Sequence, residues 1–271
     1  MTCTFTIEGD PGMTLEIISR GEGMARRPSL LFIPGGFHDA RCWDHHYLPW
    51  FAEHGWAAHA MSLRGHGRSP GDLARDKPSL EDYVEDVIAA MDRVGGNFVL
   101  VGHSLGGVVS QMARAKDVRA VGTVLLASSP MRPSLGVALR MLVTHPVSMI
   151  RSQVMGDMEA GQAAFVSFFY GRNLDPKLKR QYVSELGGES PRAMAQLFAR
   201  QLPQTPDLET RPVLVVAGRD DWSIPMQNNE WLARTFEAPL KVVPGAHNVM
   251  VDPSWEASAV VINDWLRERF G

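Results

Sequence analysis

One serine in this chain is surrounded by residues that prepare it for nucleophilic attack. Ser104 stands in Gly102-His103-Ser104-Leu105-Gly106-Gly107, after the apolar run Val99-Leu100-Val101 and before Val108 to Arg114, which reads as a helix. A sharp turn from strand into helix presents the hydroxyl, and glycines flank it because side chains there would collide. The helix start also supplies backbone N–H groups where negative charge develops on a substrate. A Gly-x-Ser-x-Gly pentapeptide alone is a weak signal; between a strand and a helix it points to a nucleophile.

A serine hydroxyl is a poor nucleophile near neutral pH, so it needs a base and a group to orient that base. Both types occur in loops that follow apolar runs. Val213-Leu214-Val215-Val216-Ala217 leads into Gly218-Arg219-Asp220-Asp221-Trp222-Ser223-Ile224-Pro225. Leu240 to Val243 leads into Pro244-Gly245-Ala246-His247-Asn248, and His247 is the only histidine after His145. Position alone leaves Asp220 and Asp221 both open as the acid. His38, His45 and His46 lie close together, but their spacing does not put two ligands on one helical face and no carboxylate motif supports them. No metal and no cofactor is expected.

These residues require a scaffold of strands that end in loops. Short apolar runs alternate with helical patterns, which predicts an α/β protein with a mostly parallel sheet flanked by helices. The runs are Ser29–Ile33, Trp56–Met61, Asn97–Val101, Ala120–Ala127, Val213–Ala217 and Leu240–Val243. Thr4–Ile7 and Leu15–Ser19 alternate at period two around a Gly-Asp-Pro-Gly turn and predict an antiparallel hairpin at the sheet edge. Ser79 to Asp82 reads as a capping box opening a helix that carries Leu80, Tyr83, Val84, Val87, Ile88, Met91 and Val94. Asp252 before Pro253 reads as the N-cap of a last helix buried through Trp255, Ala259, Ile262, Leu266 and Phe270. From about Met131 to Pro206 the alternation stops and a Met- and Phe-rich helical pattern takes over. This predicts a helical cap (131–206) inserted in a core made of 1–130 and 207–271.

Composition narrows the function. With 271 residues, 45% of them apolar and 21% charged, the chain can bury one large core plus a modest insertion. A net charge of −3 lacks the clustered positive charge that a nucleic-acid partner requires. No stretch approaches the ~18 uninterrupted apolar residues of a membrane span, and Met1 to Asp10 lacks the basic and apolar regions of a signal peptide. Cys3 and Cys42 read as two ordinary thiols, so a cytoplasmic protein is expected. No exposed apolar stripe stands out to assign an oligomeric state.

Taken together, the elbow at Ser104, the two strand-end loops and the turn Arg64-Gly65-His66-Gly67-Arg68-Ser69 resemble the α/β-hydrolase superfamily over nearly the whole chain. The resemblance implies an eight-stranded sheet and a Ser104–His247–acid triad. The family register Gly-x-x-Asp-x-x-x-Pro selects Asp221, marked by Gly218 and Pro225. The oxyanion hole implied is the N–H of Leu105 together with one from the loop Pro34-Gly35-Gly36-Phe37, where Gly36 matches the donating position and a Gly35–Phe37 pair is the alternative register. Pro34 replaces the histidine that usually braces this loop. Phe37, His103 and Trp222 are candidate substrate contacts; Trp43 could line the pocket or pack the core.

The same turn and elbow resemble the lysophospholipase and monoacylglycerol lipase branch. With the apolar cap they imply a small apolar ester, lactone or monoacylglycerol as substrate. The same triad also serves C–C hydrolases, perhydrolases and lyases. A non-catalytic receptor on this fold would show damage at one of the three positions, and none is visible. Epoxide hydrolases and dehalogenases carry aspartate where Ser104 stands.

Overall fold

Runs rich in Val, Ile and Leu place side chains alternately on two faces, and the strands they form are buried on both. The computed structural model describes residues 2–6, 14–24, 26–130, 143, 169–171, 173–199 and 211–271. Within these, the strands are β1 (Thr2–Thr6), β2 (Glu16–Arg20), β3 (Ser29–Ile33), β4 (Ala58–Met61), β5 (Phe98–His103), β6 (Ala120–Leu126), β7 (Val213–Gly218) and β8 (Leu240–Val243). They form one eight-stranded sheet in the order β1-β2-β4-β3-β5-β6-β7-β8. β1 pairs antiparallel with β2, and β2 with β4, while every later pairing is parallel. The expected hairpin therefore sits at one edge, two residues earlier in β1 than its alternation suggested. β4 begins at Ala58 rather than Trp56.

The helices are α1 (Arg41–Asp44), α2 (Tyr47–Glu53), α3 (Leu73–Asp76), α4 (Leu80–Val94), α5 (Leu105–Lys116), α6 (Pro176–Ser184), α7 (Pro191–Ala199), α8 (Met226–Thr235) and α9 (Trp255–Phe270). Strand alternation sorts the core between them. Leu30, Phe32, Val99, Val101, Leu214 and Val216 pack on the side of α2 and α9. Leu31, Ile33, Phe98 and Leu100 face α4 and α5. Each such side chain, wholly removed from water, contributes about 1.5–3 kcal/mol.

The capping box forms: Asp82 N–H donates to Ser79 Oγ at 3.2 Å, and Ser79 N–H donates to Asp82 Oδ2 at 2.7 Å. The last helix differs from its expected start. It begins at Trp255 behind Ser254, and Asp252 makes a turn ahead of it by accepting from Ser254 N–H and Oγ–H. The aspartate is spent on that turn because its other oxygen is engaged elsewhere, by Ala246 N–H at 3.0 Å.

Much of the expected cap, including Met131, Met141, Met149, Met155, Met158, Phe165 and Phe168, lies outside the described residues. Its described parts include the helices α6 and α7, joined by a loop, and α7 carries Met194. No helix among the described residues is long and apolar enough to cross a membrane.

Candidate active site

β5 ends at His103, α5 begins at Leu105, and Ser104 alone makes the turn with φ 51° and ψ −116°. Few non-glycine residues adopt such a conformation, and it stores about 1–3 kcal/mol. The surroundings hold it by close approach. A Cβ on Gly106 would overlap the carbonyl oxygens of Ile33 and Pro34, so α5 can reach the end of β3 only with glycine there. The Ser104 N–H donates to Leu126 O at 3.2 Å, which moors the turn to β6.

Three side chains from three strand ends meet here. Ser104 Oγ lies 3.0 Å from His247 Nε2, and His247 Nδ1 lies 2.9 Å from Asp221 Oδ2. The second Asp221 oxygen accepts from Ser223 N–H at 2.7 Å and Ile224 N–H at 2.9 Å. With its acceptors so occupied, the carboxylate receives the Nδ1–H and leaves Nε2 as the free base toward the serine. The Asp221 side chain is 1% exposed, whereas Asp220 points outward and uses its N–H on Gly245 O. Gly218 has a physical reason too. A Cβ there would lie 2.7 Å from the Gly245 and Ala246 carbonyl oxygens, so the acid loop and base loop pack directly on each other.

The loop after β3 lies across from the elbow. Phe37 adopts φ 68°, and its N–H donates to Glu189 Oε2 at 3.3 Å. That N–H is therefore turned to the buried carboxylate. The Leu105 N–H, at the first position of α5, has no intrahelical acceptor by construction. His38 Nδ1–H donates to Gly36 O at 2.8 Å, and His38 Nε2 lies 3.2 Å from Asn248 Nδ2. Burial pushes the His38 pKa down to about 4, so the ring is neutral and can accept from Asn248. The loop that lacks the usual histidine at Pro34 is thus held through His38, four residues later. Reading His38 with His45 and His46 as close neighbours hid this contact. His45 instead pairs with Glu185 at 2.7 Å, and His46 stacks on Trp255 at 4.7 Å. Among the described residues no group of three or more His, Cys, Asp or Glu is placed to hold a metal ion.

A pocket opens over Ser104. Phe37, Phe169, Met194, Leu197 and Ile224 give it an apolar wall, with Gly36, Leu105 and His247 at its base. Of the candidate substrate contacts, Phe37 lines this space. His103 also borders it but is 1% exposed, and its Nε2–H donates to His247 O at 3.0 Å, which makes it a brace between elbow and base loop. Trp222 is 49% exposed and is not among the lining residues. Trp43 is buried against Phe32, in the core rather than the pocket. Met194 and Leu197 come from α7, and the helical pattern of that segment was their only signal in the sequence.

Comparison with known proteins agrees with this fold. A monoacylglycerol lipase of Mycolicibacterium smegmatis is 26% identical over 237 residues, covering 82% of each chain. A pyrethroid hydrolase of Sphingobium wenxiniae is 25% identical over 237 residues, covering 80% of each. The crystal structure of an enol-lactonase from Burkholderia xenovorans superposes with a TM-score of 0.76 at 16% identity, over 95% of this chain and 98% of that one. The model of the alpha/beta hydrolase family matches residues 30–259. With strand order, elbow and sequence in agreement, the chain belongs to the alpha/beta hydrolase family.

Proposed function

We propose that this protein is a serine hydrolase that cleaves an apolar carboxylic ester, with Ser104 as nucleophile, His247 as base and Asp221 as the orienting acid. The observation that carries the reading is the continuous line from Ser104 Oγ through His247 to the buried Asp221 carboxylate, at 3.0 and 2.9 Å. His247 Nε2 takes the serine proton as Oγ attacks the ester carbonyl. The N–H groups of Gly36 and Leu105 hold the oxyanion that forms. Collapse of the tetrahedral adduct expels the alcohol, which leaves with the proton held on His247. Water, deprotonated by the same imidazole, then releases the acid and restores Ser104.

The substrate class rests on the cavity wall and on the relatives. Among the described residues, Phe37, Leu105, Phe169, Met194, Leu197 and Ile224 give the space an apolar lining and Ser129, Ser223 and Asn248 add a few polar groups, the usual make-up of a site for an apolar ligand. The names of the relatives, monoacylglycerol lipase and enol-lactonase, support an ester or a lactone. We further infer that α6 and α7 belong to a cap over the core, since α7 brings Met194 and Leu197 to the pocket above the elbow. An ester chain-length series on wild type and Ser104→Ala, with fluorophosphonate labelling, tests the proposal. Turnover of wild type alone, with label on Ser104, is expected; absence of both turnover and label overturns it.

A further inference from the structure

The segment between α6 and α7 grips the oxyanion loop at its most strained residue. Phe37, at φ 68°, has its two backbone groups held by neighbours in that segment. Its N–H donates to Glu189 Oε2 at 3.3 Å, and its carbonyl accepts from Gly187 N–H at 2.8 Å. A Cβ on Gly36 would lie 3.2 Å from the same carboxylate oxygen, so the donating residue and the glutamate are in contact.

Glu189 is itself fixed. Its side chain is 1% exposed. Oε1 accepts from Tyr83 O–H at 2.6 Å and Ser190 N–H at 2.7 Å, and Oε2 lies 3.3 Å from His66 Nε2. His66 is in the Arg-Gly-His-Gly turn, and its Nδ1–H donates to Arg64 O at 3.2 Å. A buried carboxylate needs a counter-charge and filled acceptor sites to remain ionised, and Glu189 has both. Burial alone would raise the Glu189 pKa, but His66 and Tyr83 outweigh it and hold the carboxyl below its ordinary value.

We propose that Glu189 is a positioning residue for ester hydrolysis: by holding the Phe37 N–H it sets the peptide register that aims the Gly36 N–H at the oxyanion. This rests on the serine-hydrolase reading above. A carboxylate from the inserted segment, paired with a histidine of the core, thereby supports a loop that lacks its usual bracing histidine at Pro34. Its effect falls on the tetrahedral adduct, because a ground-state ester makes weaker use of the oxyanion donors.

The test uses the full chain as wild type, Glu189→Gln and Glu189→Ala. An aryl butyrate ester measures kcat and KM. A matching trifluoromethyl ketone, which forms a tetrahedral adduct with serine, is compared with the corresponding alcohol, which does not. Expected are losses in kcat of about tenfold for Gln and about 100-fold for Ala with KM within about twofold, the scale of a displaced catalytic group. Ketone affinity should fall in parallel while alcohol affinity holds. A merely structural role would lower thermal stability and leave the ketone-to-alcohol ratio unchanged. That result, or a rise confined to KM, overturns the assignment. If Glu189→Ala does not fold, Glu189→Gln keeps the size and an acceptor and decides by the same ratio. A folded wild type without ester turnover or ketone binding overturns the serine-hydrolase reading and this one with it; an active wild type with an unmoved ratio overturns Glu189 alone.

Discussion

His103 Nε2–H donates to the backbone carbonyl of His247 at 3.0 Å, so the residue before the nucleophile holds the residue proposed as its base. The rings lie 4.8 Å apart, and burial drives the His103 pKa well below its ordinary value, keeping the ring neutral and Nε2 a donor. His103→Phe removes that donor and leaves the His247 carbonyl buried without it. A stability loss of about 1–3 kcal/mol is expected in denaturant melts. His103→Gln, which can still donate, should recover part of it.

The two adjacent aspartates should separate sharply. Asp221→Asn keeps the size but presents a donor to His247 Nδ1, which favours the wrong tautomer; ester turnover should fall by roughly 10⁴-fold. Asp220→Asn, at an outward-facing side chain, should leave kcat within about twofold, as surface substitutions usually do. Equal losses in kinetic assays of the two variants would contradict the geometry.

Close approach makes a second contrast. Gly106→Ala pushes a methyl group into the carbonyl oxygens of Ile33 and Pro34 and should cost about 3 kcal/mol, the upper range for overpacking. Gly95→Ala, at φ 80° and ψ 159° with no atom within 4 Å of the new Cβ, meets no neighbour and should cost backbone strain alone, about 1–3 kcal/mol for a region that glycine favours. Urea unfolding of both variants measures the difference.

Acid should weaken the fold through its buried neutral histidines. Burial lowers the pKa of His38 and of His59 from 6.5 to about 4. Between these values the unfolded chain takes up protons that the folded chain refuses, so stability falls as pH drops from 6.5 to about 4 and the effect levels off below. His59→Gln, which can still bond Ser19, should flatten that part of a curve of Tm against pH. His66 acts in the opposite sense. Burial opposes its charge, but Glu189 outweighs burial and raises the pKa above 6.5. Its contribution is full below pH 6.5 and is lost as pH rises through the folded value. Glu189, lowered from 4.5, contributes above pH 4.5 and loses its contribution as pH falls through its own folded value. Both are full between 4.5 and 6.5, so the pair adds no slope in that window; His66→Gln should lower Tm there and remove the decline that His66 adds as pH rises above 6.5.

The strands were legible because a buried strand needs little beyond a short run of apolar residues with a turn after it. The elbow was legible for a related reason: Gly102 packs on Gly106 and Ser110 within one strand–turn–helix unit, so that glycine is a local requirement. What could not be read depends on contacts far along the chain. Glu189 meets Phe37 across 152 residues and Tyr83 across 106, and no local pattern encodes such a meeting. Asp220 and Asp221 are chemically alike, so only the family register separates them in the sequence, whereas in the structure the turn buries one carboxylate and exposes the other. Asp252 read as a helix cap because Asp-Pro is a strong local signal, but Ala246 claims one of its oxygens from outside that pattern.

That divided carboxylate links two distant parts of the molecule. One Asp252 oxygen accepts from Ala246, next to His247, and the other from Ser254, at the head of α9. The axial docking of the C-terminal helix on the sheet thus becomes a coordinate of the site. A change that lets α9 slide, such as a cavity left at Ile262 or Leu266, would reach the imidazole as a rotation away from Ser104, so activity would fade before the fold melts.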